Sequence, residues 1–454
     1  MRTPERARVR ALLAQERAEH DVRNPRSRAL YEAGDHLVGQ VPMTWMNKWS
    51  GGFPLYLDTA EASRVRVVDG HELIDFALGD TGAMAGHSPL ATVAAVERRV
   101  GSLGGITTML PTEDAEWVAA ELSRRFGLAR WSFAISATDA NRWALRLARL
   151  ITGRPKVLVF SYCYHGSVDE TFIVIGPDGR PCARPGNVAP AVDPTLTTRV
   201  VEFNDLAALE RELSHGDVAC VLAEPALTNI GIVLPEPGFH ESLRQLTRAT
   251  GTLLMIDETH TLSAGPGGAT AAWGLDPDIL TIGKSIGGGV PCGAFGLSSA
   301  VAARLEAALS DGADIVDVGG VGGTLAGNAL STAAMRATLG EVLTEESFRS
   351  MIARCDRFTA GVEAVFADSG IEWSISQLGA RAEYRFCSPA PRTGGESAAA
   401  VDEELDEFLH LYLSNRGVLI TPFHNMALMG PQTTDFDVDR HTELFAEAVR
   451  RLLG

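Results

Sequence analysis

The sequence predicts an α/β protein: a large domain built on a mostly parallel sheet, followed by a small α+β domain. Three observations predict it. Between about residues 110 and 300, short apolar runs alternate with helical periodicities. Those runs are nearly continuous rather than alternating apolar and polar, the pattern of strands buried on both faces. Beyond about residue 330 the pattern changes to one long helix and then mixed segments.

The strand candidates are Val157–Phe160, Ala219–Ala223, Leu253–Ile256, Ile279–Ile282 and Ala294–Leu297. Helical periodicity falls on Thr138–Ile151, Leu206–Leu213 and Phe239–Ala249. Upstream, Arg64–Val68 and Leu73–Phe76 flank Asp69-Gly70, a hairpin signal. Residues 1–35 read as a charged amphipathic helix suited to packing on a partner subunit. The expected division is an N-terminal segment, 1–90, that contributes to the small domain and the pocket mouth, a large ligand-binding domain, 91–329, and a C-terminal small domain, 330–454. A chain of 454 residues is too long for one simple core, which supports the division.

Composition narrows the function. A formal charge of −17 repels phosphate backbones and anionic lipid, so nucleic acid and membrane are poor partners. The six cysteines are scattered with no C-x-x-C pair, which argues against a disulfide framework or a zinc site, and no metal is expected. The N-terminus lacks an apolar secretory core and no run is long enough to span a bilayer, so a cytoplasmic protein is expected.

Four stretches carry chemistry. In Gly283-Lys284-Ser285, followed by Gly287-Gly288-Gly289, a lysine stands just past a buried strand. Desolvation there favours the neutral amine that attacks carbonyls, and the glycines let backbone approach a planar ligand. A phosphate-binding P-loop is excluded because position 278 is Asp278 rather than glycine; a surface lysine on a flexible loop stays open at this point. In Leu253–Glu258 an apolar strand ends in two acids. Carboxyl ends of strands form the ligand crevice of open α/β sheets, where Asp257 could meet a protonated ring nitrogen or merely cap a helix.

Ser136-Ala137-Thr138-Asp139 opens a helix, with the spacing of a capping box and backbone N–H groups that suit a phosphate. Capping without a ligand explains the same residues. Tyr162-Cys163-Tyr164-His165-Gly166 follows a strand, so an aromatic could stack on a ring or line the core rim, and His165 could be catalytic or structural.

In this order the stretches resemble the glutamate-1-semialdehyde aminomutase branch of the class III pyridoxal-5′-phosphate (PLP) aminotransferases. The resemblance is carried by Ile135–Ala140, Arg146-Leu147-Ala148-Arg149, Thr152-Gly153-Arg154 and Tyr164-His165-Gly166. Ala223-Glu224-Pro225, Asn229, Leu234–Phe239, Asp257-Glu258, Gly283-Lys284 and Gly323–Asn328 continue it, from about residue 50 to the C-terminus. It implies the aspartate-aminotransferase-like fold type I, PLP as cofactor, and a homodimer with shared active sites.

The resemblance also implies roles. Lys284 is the Schiff-base lysine and proton shuttle, and Asp257 pairs with the pyridine nitrogen. Ser136, Ala137 and Thr138 bind the phosphate, joined by Gly323 and Thr324 of a neighbouring subunit. Tyr164 stacks on the ring beside His165, and Glu224 and Asn229 lie near its hydroxyl. Thr259 stands where the family usually has a ring-packing valine, followed by His260. Lys48, in the aromatic segment with Trp45, falls near the family's substrate-binding arginine. Asn425 lies in the stretch where the aminomutase has a glutamate. Both departures argue against glutamate 1-semialdehyde as substrate; Trp45, Lys48, His260 and Asn425 are the substrate-contact candidates. The expected activity is amino transfer on a small amine or amino acid, with an ammonia-lyase acting on a hydroxy-amine, or an aminomutase, as the alternatives.

Overall fold

The computed structural model describes residues 2–316 and 319–454, which cluster into two compact units. The larger comprises Leu90–Phe348 and Pro391–Ala399; the smaller comprises Met1–Pro89, Arg349–Ala390 and Ala400–Gly454. The C-terminal portion thus joins the smaller unit at residue 349 rather than 330, because the helix Ala329–Ala337 packs on Leu90–Glu97 and Glu113–Phe126.

The larger unit is organised by a seven-stranded sheet. Its strands are β1 (Arg130–Ala134), β2 (Lys156–Phe160), β3 (Thr198–Val201), β4 (Val218–Ala223), β5 (Leu253–Asp257), β6 (Ile279–Gly283) and β7 (Gly293–Leu297). They lie in the order β1-β7-β6-β5-β4-β2-β3. All five expected strands are present. β7 runs antiparallel to both β6 and β1, whereas every other pairing is parallel. The reason is the short link from β6 to β7: Lys284–Gly287 forms a single tight turn, and a parallel return needs a longer crossover.

β1 and β3 escape the apolar-run criterion because they sit at the sheet edges and carry Arg130, Ser132, Thr198 and Arg199. By contrast, β4 and the Val157–Phe160 part of β2 are fully buried. The helices α1 (Ala137–Thr152), α2 (Leu206–Leu213) and α3 (Phe239–Thr250) fall where the periodicity places them. α1 lays Ala140, Trp143, Ala144, Leu147 and Ala148 into the core formed with β2 and β4.

In the smaller unit, Arg64–Val67 and Glu72–Asp75 form the expected hairpin within a four-stranded sheet. A three-stranded antiparallel sheet joins Ser374–Leu378, Arg381–Arg385 and Met426–Leu428. The N-terminal segment is two helices, Arg6–Arg23 and Pro25–Glu32, broken where Asn24 precedes proline. Its charged face is engaged within the chain itself: Arg6, Arg10 and Arg17 pair with Asp402, Glu404 and Glu407, and buried Glu16 accepts from Asn415 and Arg416. Among the described residues, no helix is long and apolar enough to cross a membrane.

Candidate active site

The larger sheet delivers its chemistry at one end. β1 is followed by Ser136–Thr138, β2 by Tyr164 and His165, β4 by Glu224, β5 ends at Asp257, and β6 is followed by Lys284. These strands run parallel to one another, so all five groups stand at carboxyl ends, where open α/β sheets bind ligands. β5 and β6 are adjacent, with Asp257 paired in register to Thr281.

Asp257 is nearly fully buried. Its Oδ2 accepts from Asn141 Nδ2 at 2.8 Å and lies 2.9 Å from His165 Nδ1, while Oδ1 accepts from the Thr259 backbone N–H at 3.0 Å. Burial opposes its ionisation most strongly, but His165, Thr259 and Asn141 together hold the carboxyl below its ordinary range. For His165, burial is again the largest influence and acts against the charged ring; Cys163 and Asp257 outweigh it and lift the pKa well above the ordinary value. The pair is therefore a buried carboxylate facing an imidazole whose protonation it favours.

Asn141, given no role in the sequence reading, ties three elements together. Its amide donates to Asp257 and to the His165 carbonyl, and its Oδ1 accepts from Thr281 Oγ1 at 2.7 Å. The signal was present in the sequence: an asparagine on the inward, otherwise apolar face of α1. Glu224 is buried and bonded to the Tyr164 backbone N–H at 3.1 Å and to the Thr228 hydroxyl; burial raises its pKa against those bonds and against His165. Tyr164 is half-buried and meets Phe172 edge-on. Asn229 accepts from Arg184, which also holds the Cys163 carbonyl.

The N-terminus of α1 is pressed against β6. A Cβ on Gly283 would come within 2.9 Å of the Ala137 nitrogen, so only glycine lets this helix start approach the residue preceding Lys284. Gly166 does the same for Thr138: its φ is +80° and a Cβ there would collide with the threonine hydroxyl, which accepts from the Ser167 backbone N–H. Only half of the capping box forms. Ser136 Oγ accepts from the Asp139 N–H, and its own proton goes to the Asp139 carboxylate. Lys284 is half-buried, adopts a left-handed φ of +51°, and lies with Nζ 2.9 Å from His260 Nε2. A non-glycine residue is held in that region only where the surroundings impose it.

These residues fit PLP. Asp257 is an ionised acceptor for a ring nitrogen, α1 offers N–H groups for a phosphate, and Lys284 supplies an amine. Thr259 Oγ1 and His165 Nε2 are buried without hydrogen-bond partners among the described residues, as polar groups awaiting a ligand are.

The remaining expected residues lie within their own units. Gly323 and Thr324 are exposed on a turn closed by the Ala326 N–H to Gly323 carbonyl bond. In the smaller unit, Lys48 Nζ lies 5.4 Å from the ring centroids of both Trp45 and Phe423. Asn425 is buried and gives its amide to Asp406 at 2.5 Å, so that group is committed to the internal structure of the unit.

Comparison with known proteins agrees with the geometry. The glutamate-1-semialdehyde 2,1-aminomutase of Neisseria meningitidis serogroup A is 33% identical over 379 residues, covering 82% of this chain and 86% of that one. A glutamate-1-semialdehyde-aminomutase from Pseudomonas aeruginosa PAO1, solved in complex with PMP, superimposes with a TM-score of 0.96 at 47% identity, covering 99% of this chain and all of that one. An omega-transaminase from Sphaerobacter thermophilus superimposes at 0.84 with 28% identity, covering 94% and 98%. The class III aminotransferase family model matches residues 45–449, and the chain belongs to that PLP-dependent, fold type I family.

Proposed function

We propose that this chain is an aminotransferase that moves the amino group of a small amine or amino acid, with Lys284 as the covalent holder of PLP and the proton carrier. The observation that supports it best is the convergence of Lys284, the Asp257–His165 pair and the start of α1 at the carboxyl ends of neighbouring strands. When bound, PLP supplies an electron sink for negative charge developing on the substrate carbon. Asp257 keeps the ring nitrogen protonated, and His165 and Asn141 hold that carboxylate in place. Backbone N–H groups at Ala137 and Thr138, with the Thr138 hydroxyl, hold the phosphate, and Gly323 and Thr324 of a partner subunit complete its site in a homodimer. Tyr164 covers the ring, while Glu224 and Asn229 orient its hydroxyl. Lys284 Nζ takes the proton from the substrate carbon and returns it. Lys48, ordered between Trp45 and Phe423, holds an anionic end of the substrate.

A second reading, an aminomutase, is favoured by the names of the relatives. We further propose that the protein works in the cytoplasm. The experiment that separates the chemistries is product analysis of PLP-loaded protein with a panel of amines, with and without a keto-acid acceptor. Transamination requires the acceptor for turnover. A product of unchanged mass formed without acceptor identifies an aminomutase, and stoichiometric ammonia release identifies a lyase.

A further inference from the structure

We propose that His260 is the proton-relay partner of Lys284, a role that rests on the reading of Lys284 given above. His260 Nε2 lies 2.9 Å from Lys284 Nζ, and the histidine is buried on the turn that follows Asp257. A lysine acts as nucleophile or base only after losing its proton, and an ammonium has three donors and no acceptor. A half-buried ammonium therefore needs a nearby group able to take that proton. The flanking acids are committed elsewhere. Asp257 serves His165, Asn141 and the Thr259 N–H. Glu258, buried, accepts from the Thr261 hydroxyl and from the Ala269 and Thr270 N–H groups.

Neutral imidazole offers a lone pair at hydrogen-bond distance and can hand back the proton it takes. As Lys284 gives up a proton, an N–H bond breaks at Nζ and one forms at His260 Nε2; the positive charge passes from ammonium to imidazolium. The reverse transfer delivers a proton to Nζ when the lysine leaves the cofactor.

The test uses holoenzyme and an alkoxyamine, which displaces PLP from the lysine without any substrate carbon proton being moved. Displacement is followed by absorbance in wild type, His260→Ala and His260→Gln. The expected result is a roughly hundredfold slower displacement in both variants, the scale of a general acid–base contribution. Added imidazole should restore the alanine variant in proportion to its concentration. Glutamine keeps a hydrogen-bonding group but neither takes up nor gives up a proton in this range, so its deficit separates relay from positioning. A wild-type rate in His260→Gln, or no imidazole rescue of His260→Ala, overturns the proposal. Should the alanine variant fail to fold, His260→Asn joins His260→Gln: slow displacement in both with PLP bound supports the relay, and a wild-type rate in either overturns it. Borohydride fixing PLP on a lysine other than Lys284 in the wild type removes the reading of Lys284 itself, whatever the His260 variants do.

Discussion

His165 Nδ1 and Asp257 Oδ2 lie 2.9 Å apart with both side chains almost wholly shielded from solvent. Removing one partner of a buried charge pair costs about 2–5 kcal/mol, much of it for the charge left behind. Asp257→Asn should therefore lower kcat/KM by roughly two to three orders of magnitude. His165→Asn should cost less, about tenfold, because Asn141 still donates to the carboxylate at 2.8 Å. Steady-state kinetics on the two variants check the order; a larger loss at His165 would mean that the histidine acts on the ligand rather than on Asp257.

PLP should be bonded to Lys284. The lysine follows Gly283, against which the start of α1 is packed, and stands in a left-handed conformation. Borohydride reduction of the PLP-saturated protein followed by peptide mapping should put the label on the peptide containing Lys284. Label on another lysine, or none, rejects the assignment.

The active site should need two chains. Thr324 is exposed on its turn in the single chain, as expected of a residue that serves a neighbour's phosphate. Mixing a Lys284→Ala chain with a Thr324→Ala chain should restore part of the activity that each parent lacks, since one of the two sites then carries neither substitution. Mixed dimers no better than either parent would rule out shared sites.

Much of this arrangement was legible because strand ends and glycines are local signals. Lys284 and Asp257 announce themselves as polar residues closing short, largely apolar runs. The direction of β7 was not legible, because an apolar strand reads the same either way and only the shortness of its link decides. Asn141 and the His260–Lys284 contact were missed as partnerships because they join residues distant in sequence, whose meeting depends on strand order. The burial of Asn425 and its bond to Asp406 were not legible either, because they come from tertiary packing.

The smaller unit should lose stability in mild acid through His441. This histidine is fully buried against Phe76, Phe358 and Phe445, and neither ring nitrogen has a hydrogen-bond partner among the described residues. Burial lowers its pKa from 6.5 to about 3. The unfolded chain then binds the extra proton between those values, so the histidine's contribution is complete above about pH 6.5 and is lost as pH falls toward 3. From pH 7 to pH 5 the loss is about 2 kcal/mol. His441→Phe should remove that part of the pH dependence, leaving at most a constant offset from the altered packing. Urea unfolding of both proteins at pH 7 and 5 measures it, and equal acid losses would show that the histidine is not held neutral.

The last prediction concerns Lys48. Its ammonium lies 5.4 Å from the centroids of Trp45 and Phe423, and the two rings themselves meet edge-on at 5.6 Å. Each such contact contributes about 0.5–1 kcal/mol at an exposed site, enough to order a flexible side chain but not to neutralise it. The rings exclude water from one side of the ammonium, which strengthens its contact with an anion. A lysine presents a point charge rather than a fork, which suits a phosphonate or a single carboxylate oxygen. Lys48→Ala should raise KM for an anionic amine by roughly ten- to a hundredfold, the loss of a charged hydrogen bond worth about 1.5–3 kcal/mol. KM for a neutral amine of similar size should hardly change. Lys48→Arg should recover most of the loss if charge alone matters, and less if the point charge is what the substrate requires. Equal damage to anionic and neutral substrates in Lys48→Ala would mean that the lysine supports Trp45 and Phe423 through its ring contacts, and that the anion is held by another residue.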